Sequence, residues 1–164
     1  MMGGYPTGNV PDDCHPDVQW LLGYWQSKRS NRPLPGRQHI DPVELGRLLA
    51  NIWVVDVQRA PLRYRYRVAG TLIVAYLGQE PTGEWLDVVI PHFAETHTCR
   101  DLKIVVADRV PRWRRGPPSL RRDLSFKTLE QLSLPLAGDG QTVDMVLILT
   151  LFLDEEGKAL PPAP

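Results

Sequence analysis

Cysteine is scarce in this chain of 164 residues: only Cys14 and Cys99 occur, and their spacing forms no pair motif. A disulfide framework is thereby set aside. The start of the chain lacks the charged region and apolar run of a secretory signal, so a reduced, cytoplasmic protein is expected. Long hydrophobic runs are also missing. The longest, MVLILTLFL from Met145 to Leu153, is about half the roughly 20 residues that a membrane helix needs, so it reads as a buried strand and no membrane partner is expected. An excess of either charge is absent, with 19 Lys+Arg against 19 Asp+Glu. No net field draws the molecule to nucleic acid, which disfavours that class of partner. Missing too are a Gly-rich phosphate loop, a nucleophile elbow and a paired-carboxylate motif, so no catalytic residue is assigned and an enzyme is not expected.

The length fits one domain. Residues 1–14, rich in glycine and proline, are expected as a flexible leader, 15–153 as the single folded domain and 154–164 as a flexible tail. Val18, Leu21, Leu22 and Trp25 recur at helical spacing behind Pro16, with Asp13 or His15 near the start, and predict a first helix. A second begins at IDPVELGRLLANI, with Asp41 as N-cap and Leu45, Leu48 and Leu49 toward the core. WVVDVQ and RYRYRV read as a hairpin joined by APLR. Alternation puts Tyr64, Tyr66 and Val68 on a core face and Arg63, Arg65 and Arg67 on the other.

The stretch RYRYRVAGTLIVAYLG then changes period from two to helical, with Thr71 as cap of a short helix and Gly78 as its left-handed stop. A longer helix is expected from about His92 to Asp108. The remainder reads as three strands: VPRWRR, FKTLEQLSLPL and TVDMVLILTLFL, the last two joined through the Asp139-Gly140 hairpin signal. Pro135 implies a bend or an unpaired edge in its strand. The last strand, apolar on both faces, implies cover on both sides. The fold class is α+β: a five-stranded antiparallel sheet with connecting helices on one face and N-terminal helices available for the other.

This order of elements resembles a PAS domain. Three motifs, LLGYWQSKRSNRPLPGRQHIDPVEL, YRYRVAGTLIVAYLGQEPTGEWLD and LEQLSLPLAGDGQTVDMVL, resemble more closely a family of small, single-domain PAS proteins from alphaproteobacteria, over Trp20 to Phe152. The resemblance implies a sensor or regulatory domain that holds a small molecule or signals through protein contacts, with no particular ligand or cofactor implied. In such a domain the Gly70-Thr71 junction starts the helical wall across the sheet.

Candidate ligand-binding residues are the aromatics expected between sheet and helices, Tyr66, Tyr76, Trp85 and Trp113, set against ordinary core packing. Candidate interaction residues are Trp20, Tyr24 and Trp25 on the first helix, a face for a second copy or a partner. Three functions stand side by side: a sensory module that binds a small molecule and signals to a partner in trans, a ligand-free interaction or dimerisation module, and, weaker, a small enzyme with Glu130 or Asp56 as its acid or base. His92, His97 and Cys99 lie close in sequence, yet their spacing matches no strong zinc pattern and no metal site is assigned. Arg100 to Lys127 carries nine Lys/Arg against Asp101, Asp108 and Asp123. Within it, Arg109 to Arg122 holds RWRRG, which reads either as a charge-protected edge strand or as a grip for an anionic nucleotide.

Overall fold

Met145–Leu153 (β5) is buried along almost its whole length because it lies in the middle of the sheet, with a strand on each side and cover on both faces. The computed structural model describes residues 7–118 and 128–160. Its sheet also contains Ile52–Gln58 (β1), Arg63–Ala69 (β2), Arg112–Gly116 (β3) and Thr128–Leu136 (β4), all paired antiparallel in the order β2-β1-β5-β4-β3. The helices are Pro16–Lys28 (α1), Pro42–Leu45 (α2), Thr71–Leu77 (α3), Leu86–Val89 (α4) and His97–Asp108 (α5). The five-stranded α+β plan read from the sequence is the one observed.

Alternation sorts the sheet into two faces. Trp53, Tyr66, Leu129, Gln131 and Thr150 share an inner face with α3 and the start of α5. Glu130 and Leu132 point the other way. There α1 lies across β4, with the His15 backbone N–H donating to Glu130 Oε1 at 2.9 Å and Trp25 Nε1 donating to the Pro135 carbonyl at 2.9 Å. Pro135 sits just past Ser133, the last β4 residue that β3 reaches, so its missing N–H costs no ladder bond.

Several local expectations are corrected. The segment from Pro42 is not one helix: Gly46, at φ +53°, ends α2, and residues 46–51 continue as a 3₁₀ helix. A three-residue period stacks Leu45, Leu48 and Asn51 on one buried face and turns Leu49 outward to 40% exposure. A bulge in β2 pairs Val54 with Val68 but Val55 with Tyr66, which takes Val68 off the face of Tyr64 and Tyr66 and leaves it exposed. The long helix starts at His97, because His92 stands at φ +53° ahead of a separate 3₁₀ turn at Phe93–Glu95. Part of the leader is packed: Asn9 brackets the Trp113 backbone with two hydrogen bonds, and Cys14 is buried. The tail, too, folds back as far as Leu160, whose N–H donates to the Phe152 carbonyl at 2.8 Å.

The strand-to-helix junction has a steric basis. Gly70, not Thr71, is the residue that caps α3, and it makes no side-chain cap bond. Its N–H donates to the Ile52 carbonyl at 2.7 Å, and a Cβ at this position would lie 2.2 Å from the Leu49 carbonyl oxygen and 2.5 Å from that of Ala50. Only glycine lets β2 turn this close to the 3₁₀ segment. Gly70→Ala is therefore expected to lower stability by roughly 1–3 kcal/mol through forced backbone shifts. Gly23→Ala, in α1 with open space around it, should raise it by about 0.5–1 kcal/mol. Urea unfolding of the two variants checks this; equal midpoints would refute the steric account.

Candidate functional site

The inner face is not packed solid. A crevice of about 40 Å³ runs between the sheet and the wall made by α3 and the start of α5. Trp53, Tyr66, Ile73, Tyr76 and Leu129 give it apolar walls, and Arg114, Gln131 and Thr150 give it one polar end. The Trp53 and Tyr66 rings lie 5.4 Å apart, tilted at 34°, and Tyr76 leans on Phe152 at 5.1 Å. Burial pushes the Tyr66 phenol well above its ordinary range, so it remains a neutral hydroxyl.

The polar end is a small network with loose ends. Thr150 Oγ1 accepts from Trp53 Nε1 at 3.0 Å and from Gln131 Nε2 at 2.9 Å, which fixes the ring and the amide against the sheet. Gln131 Oε1 and Arg114 Nε are buried without a hydrogen-bond partner. Desolvation lowers the pKa of Arg114, a sign of a cation held away from water. Such atoms are uncommon in native proteins; Tyr64 Oη and Arg32 Nε, away from the crevice, are buried without a partner as well.

Of the four aromatics expected to line a pocket, the structure brings together Tyr66 and Tyr76 and leaves out two. Trp113 is on the outer face, because β3 alternates: its register partner is Leu132, and its Nε1 donates to Glu130 Oε1 at 2.7 Å. Trp85 sits beside β2 under a pair of guanidinium groups, Arg63 at 4.1 Å and Arg65 at 5.5 Å from its ring centroid. Sequence reasoning passed over Trp53, Gln131 and Thr150, and met Arg114 only within RWRRG. A usable signal was present for two of them, since Gln131 and Thr150 are polar residues inside apolar strands.

The expected interaction residues also divide. Trp20 is 47% exposed and stacks on Tyr24 with centroids 5.3 Å apart and planes 13° from parallel. Tyr24 ties α1 to the start of α2, accepting from the Asp41 N–H at 3.0 Å and donating to Glu44 Oε1 at 3.2 Å. Trp25 is 1% exposed and belongs to the core, so its assignment to an interaction surface is corrected.

The other candidates have structural partners. Glu130 accepts from the His15 N–H, Trp113 Nε1 and Arg115 Nη2, and Asp56 pairs with Arg67 at 3.3 Å. Arg112 pairs with Asp101 at 3.0 Å, and β3 is an edge strand, in keeping with the charge-protected reading of RWRRG. The part of the basic segment after Pro118 lies outside the described residues. Among the described residues no group of three or more His, Cys, Asp and Glu side chains is placed to hold a metal ion, and no helix is long and apolar enough to cross a membrane.

The chain matches the PAS domain family over residues 14–150. No curated protein matches it. Among solved structures it is similar to the PAS domain of Bordetella pertussis BvgS, at 16% identity and a TM-score of 0.48, covering 71% of this chain and 89% of that one. It is also similar to a fungal LOV domain photoreceptor, at 17% identity and a TM-score of 0.46, covering 81% of this chain and 91% of that one. With the family match spanning most of its length and a five-stranded sheet walled by short helices, the chain belongs to the PAS domain family, whose fold points to a sensory or regulatory module.

Proposed function

We propose that this PAS domain is a sensory module that holds a small molecule in the crevice between sheet and helices and passes its state to a protein partner in trans. The crevice is the observation that carries the reading: apolar walls with a few convergent polar groups are the usual form of a small-molecule site. Trp53 and Tyr66 provide ring faces, while Arg114 and Gln131 provide orientation. The resemblance of three ordered motifs to small, single-domain PAS proteins of alphaproteobacteria supports the same reading, that of a cytoplasmic regulator rather than an enzyme.

Native mass spectrometry of the purified chain, beside a denatured control, tests the ligand half. A reproducible mass excess lost on denaturation is the expected result. A bare mass, together with tryptophan emission unmoved by any small-molecule library, would remove the ligand from the reading.

The exposed Trp20–Tyr24 stack supports a second reading, an interaction module in which α1 docks on a second copy or a partner. Sedimentation over a wide concentration range separates self-association from a partner of another kind. A monomer at every concentration would exclude a homodimer through this face.

A further inference from the structure

We propose that the ligand is a short-chain monocarboxylate, its oxygens held by Arg114 Nε and the side-chain amide of Gln131 and its carbons against Trp53, Tyr66 and Ile73. The inference rests on the ligand-binding reading above and adds the chemistry. Strand β3 decides which arginine enters the crevice. Trp113 and Arg115 face outward to Glu130, and alternation turns Arg114 inward, opposite Gln131 in the register. This guanidinium forms no ion pair among the described residues. Asp101, the described carboxylate whose charge acts on Arg114, is already held by Arg112 at 3.0 Å. Two cations thus share one carboxylate, and the charge left over sits in a partly desolvated site. A bound anion neutralises it.

The second group suits the same ligand. Gln131 is 5% exposed, and its outer amide atom lacks a partner. Turned over, the amide takes the Thr150 hydroxyl proton on Oε1 and presents its NH₂ to the crevice. Thr150 still accepts from Trp53 Nε1, and a second donor then stands beside Arg114. Thr96 and Thr98, at the start of α5, border the same space and bring the positive end of that helix toward it. Among the described residues Arg114 is the one charged side chain that lines the crevice, which matches a ligand with a single negative charge. The volume sets the size: 40 Å³ corresponds to about three water molecules at roughly 10–15 Å³ each, which suits acetate or propionate and makes butyrate a probe of the upper limit.

The test is binding of acetate, propionate and butyrate beside the neutral isosteres acetamide, propionamide and butyramide. It uses the full chain at constant ionic strength in chloride, read by thermal shift and calorimetry. The acids should bind at least about tenfold more tightly than the amides, the factor expected for a hydrogen bond to a charged group. Arg114→Gln should abolish that preference while leaving the urea midpoint of the ligand-free protein no lower than wild type. Gln131→Glu, which places a carboxylate beside Arg114, should raise the ligand-free melting temperature and eliminate acid binding. Acids and amides bound alike, with no effect of Arg114→Gln, would overturn the carboxylate while keeping the crevice as a ligand site. No binding in either series, with a bare native mass, would overturn both.

Discussion

Trp25→Ala is expected to destabilise the domain by about 3–5 kcal/mol, the range for removing a large aromatic from a closed core. Trp25 is almost fully buried between α1 and the sheet, and its Nε1 donates to the Pro135 carbonyl. Truncation leaves a cavity too enclosed to collapse and a carbonyl without its donor. Trp20→Ala, five residues earlier on the same helix, should change stability by no more than about 0.5 kcal/mol, because Trp20 lies on the outer side of α1 against Tyr24. Paired urea titrations and sedimentation runs check both statements. If α1 is an interaction surface, Trp20→Ala shifts the association equilibrium and leaves the unfolding midpoint in place. Equal losses of stability from the two variants would mean that the division of α1 into a core side and a free side is mistaken.

That division was only half legible in the sequence. Helical spacing of Val18, Leu21, Leu22 and Trp25 identifies a buried stripe, and Trp25 belongs to it, yet aromatic content alone also groups it with Trp20 and Tyr24. The sheet was read more securely. An apolar strand such as Met145–Leu153 is stable only in the middle of a covered sheet, so sequence pattern and position coincide. Period changes were harder. The 3₁₀ segment after Gly46 and the bulge in β2 each displace one leucine or valine from its expected face, and both depend on backbone geometry that residue type does not encode.

The candidate site was legible in part for a similar reason. Tyr66 and Tyr76 flank the junction and line the crevice, whereas Trp113 falls on the wrong face by one residue of alternation. The same step that removes Trp113 brings in Arg114. Strand register is set by long-range pairing, here β3 with β4, and a five-residue polar strand has no apolar stripe of its own to declare its inner side.

Glu130 gives the second large effect. Glu130→Ala is expected to cost about 3–5 kcal/mol, as breaking a buried ion pair by deleting one partner does. The carboxylate is fully buried and accepts from three donors on two segments: the His15 N–H ahead of α1, and Trp113 Nε1 and Arg115 Nη2 on β3. Arg115, with 42% of its side chain exposed, can turn to solvent, but the indole and the backbone amide cannot. Glu130→Gln keeps the shape and two of the acceptances, yet turns an NH₂ toward Arg115, so a smaller loss of roughly 1–3 kcal/mol is expected. Urea unfolding measures both losses. Because Glu130 faces α1 and the crevice lies on the opposite side of β4, Glu130→Gln should leave the affinity for propionate unchanged wherever the protein is folded. A variant that loses propionate binding at full stability would place Glu130 in the ligand site and undo the assignment of the two faces. Loss of stability with affinity intact would establish Glu130 as the buried anchor that fixes α1 and β3 on the sheet, while Arg114, one residue before Glu130's register partner Arg115, is left to face the ligand.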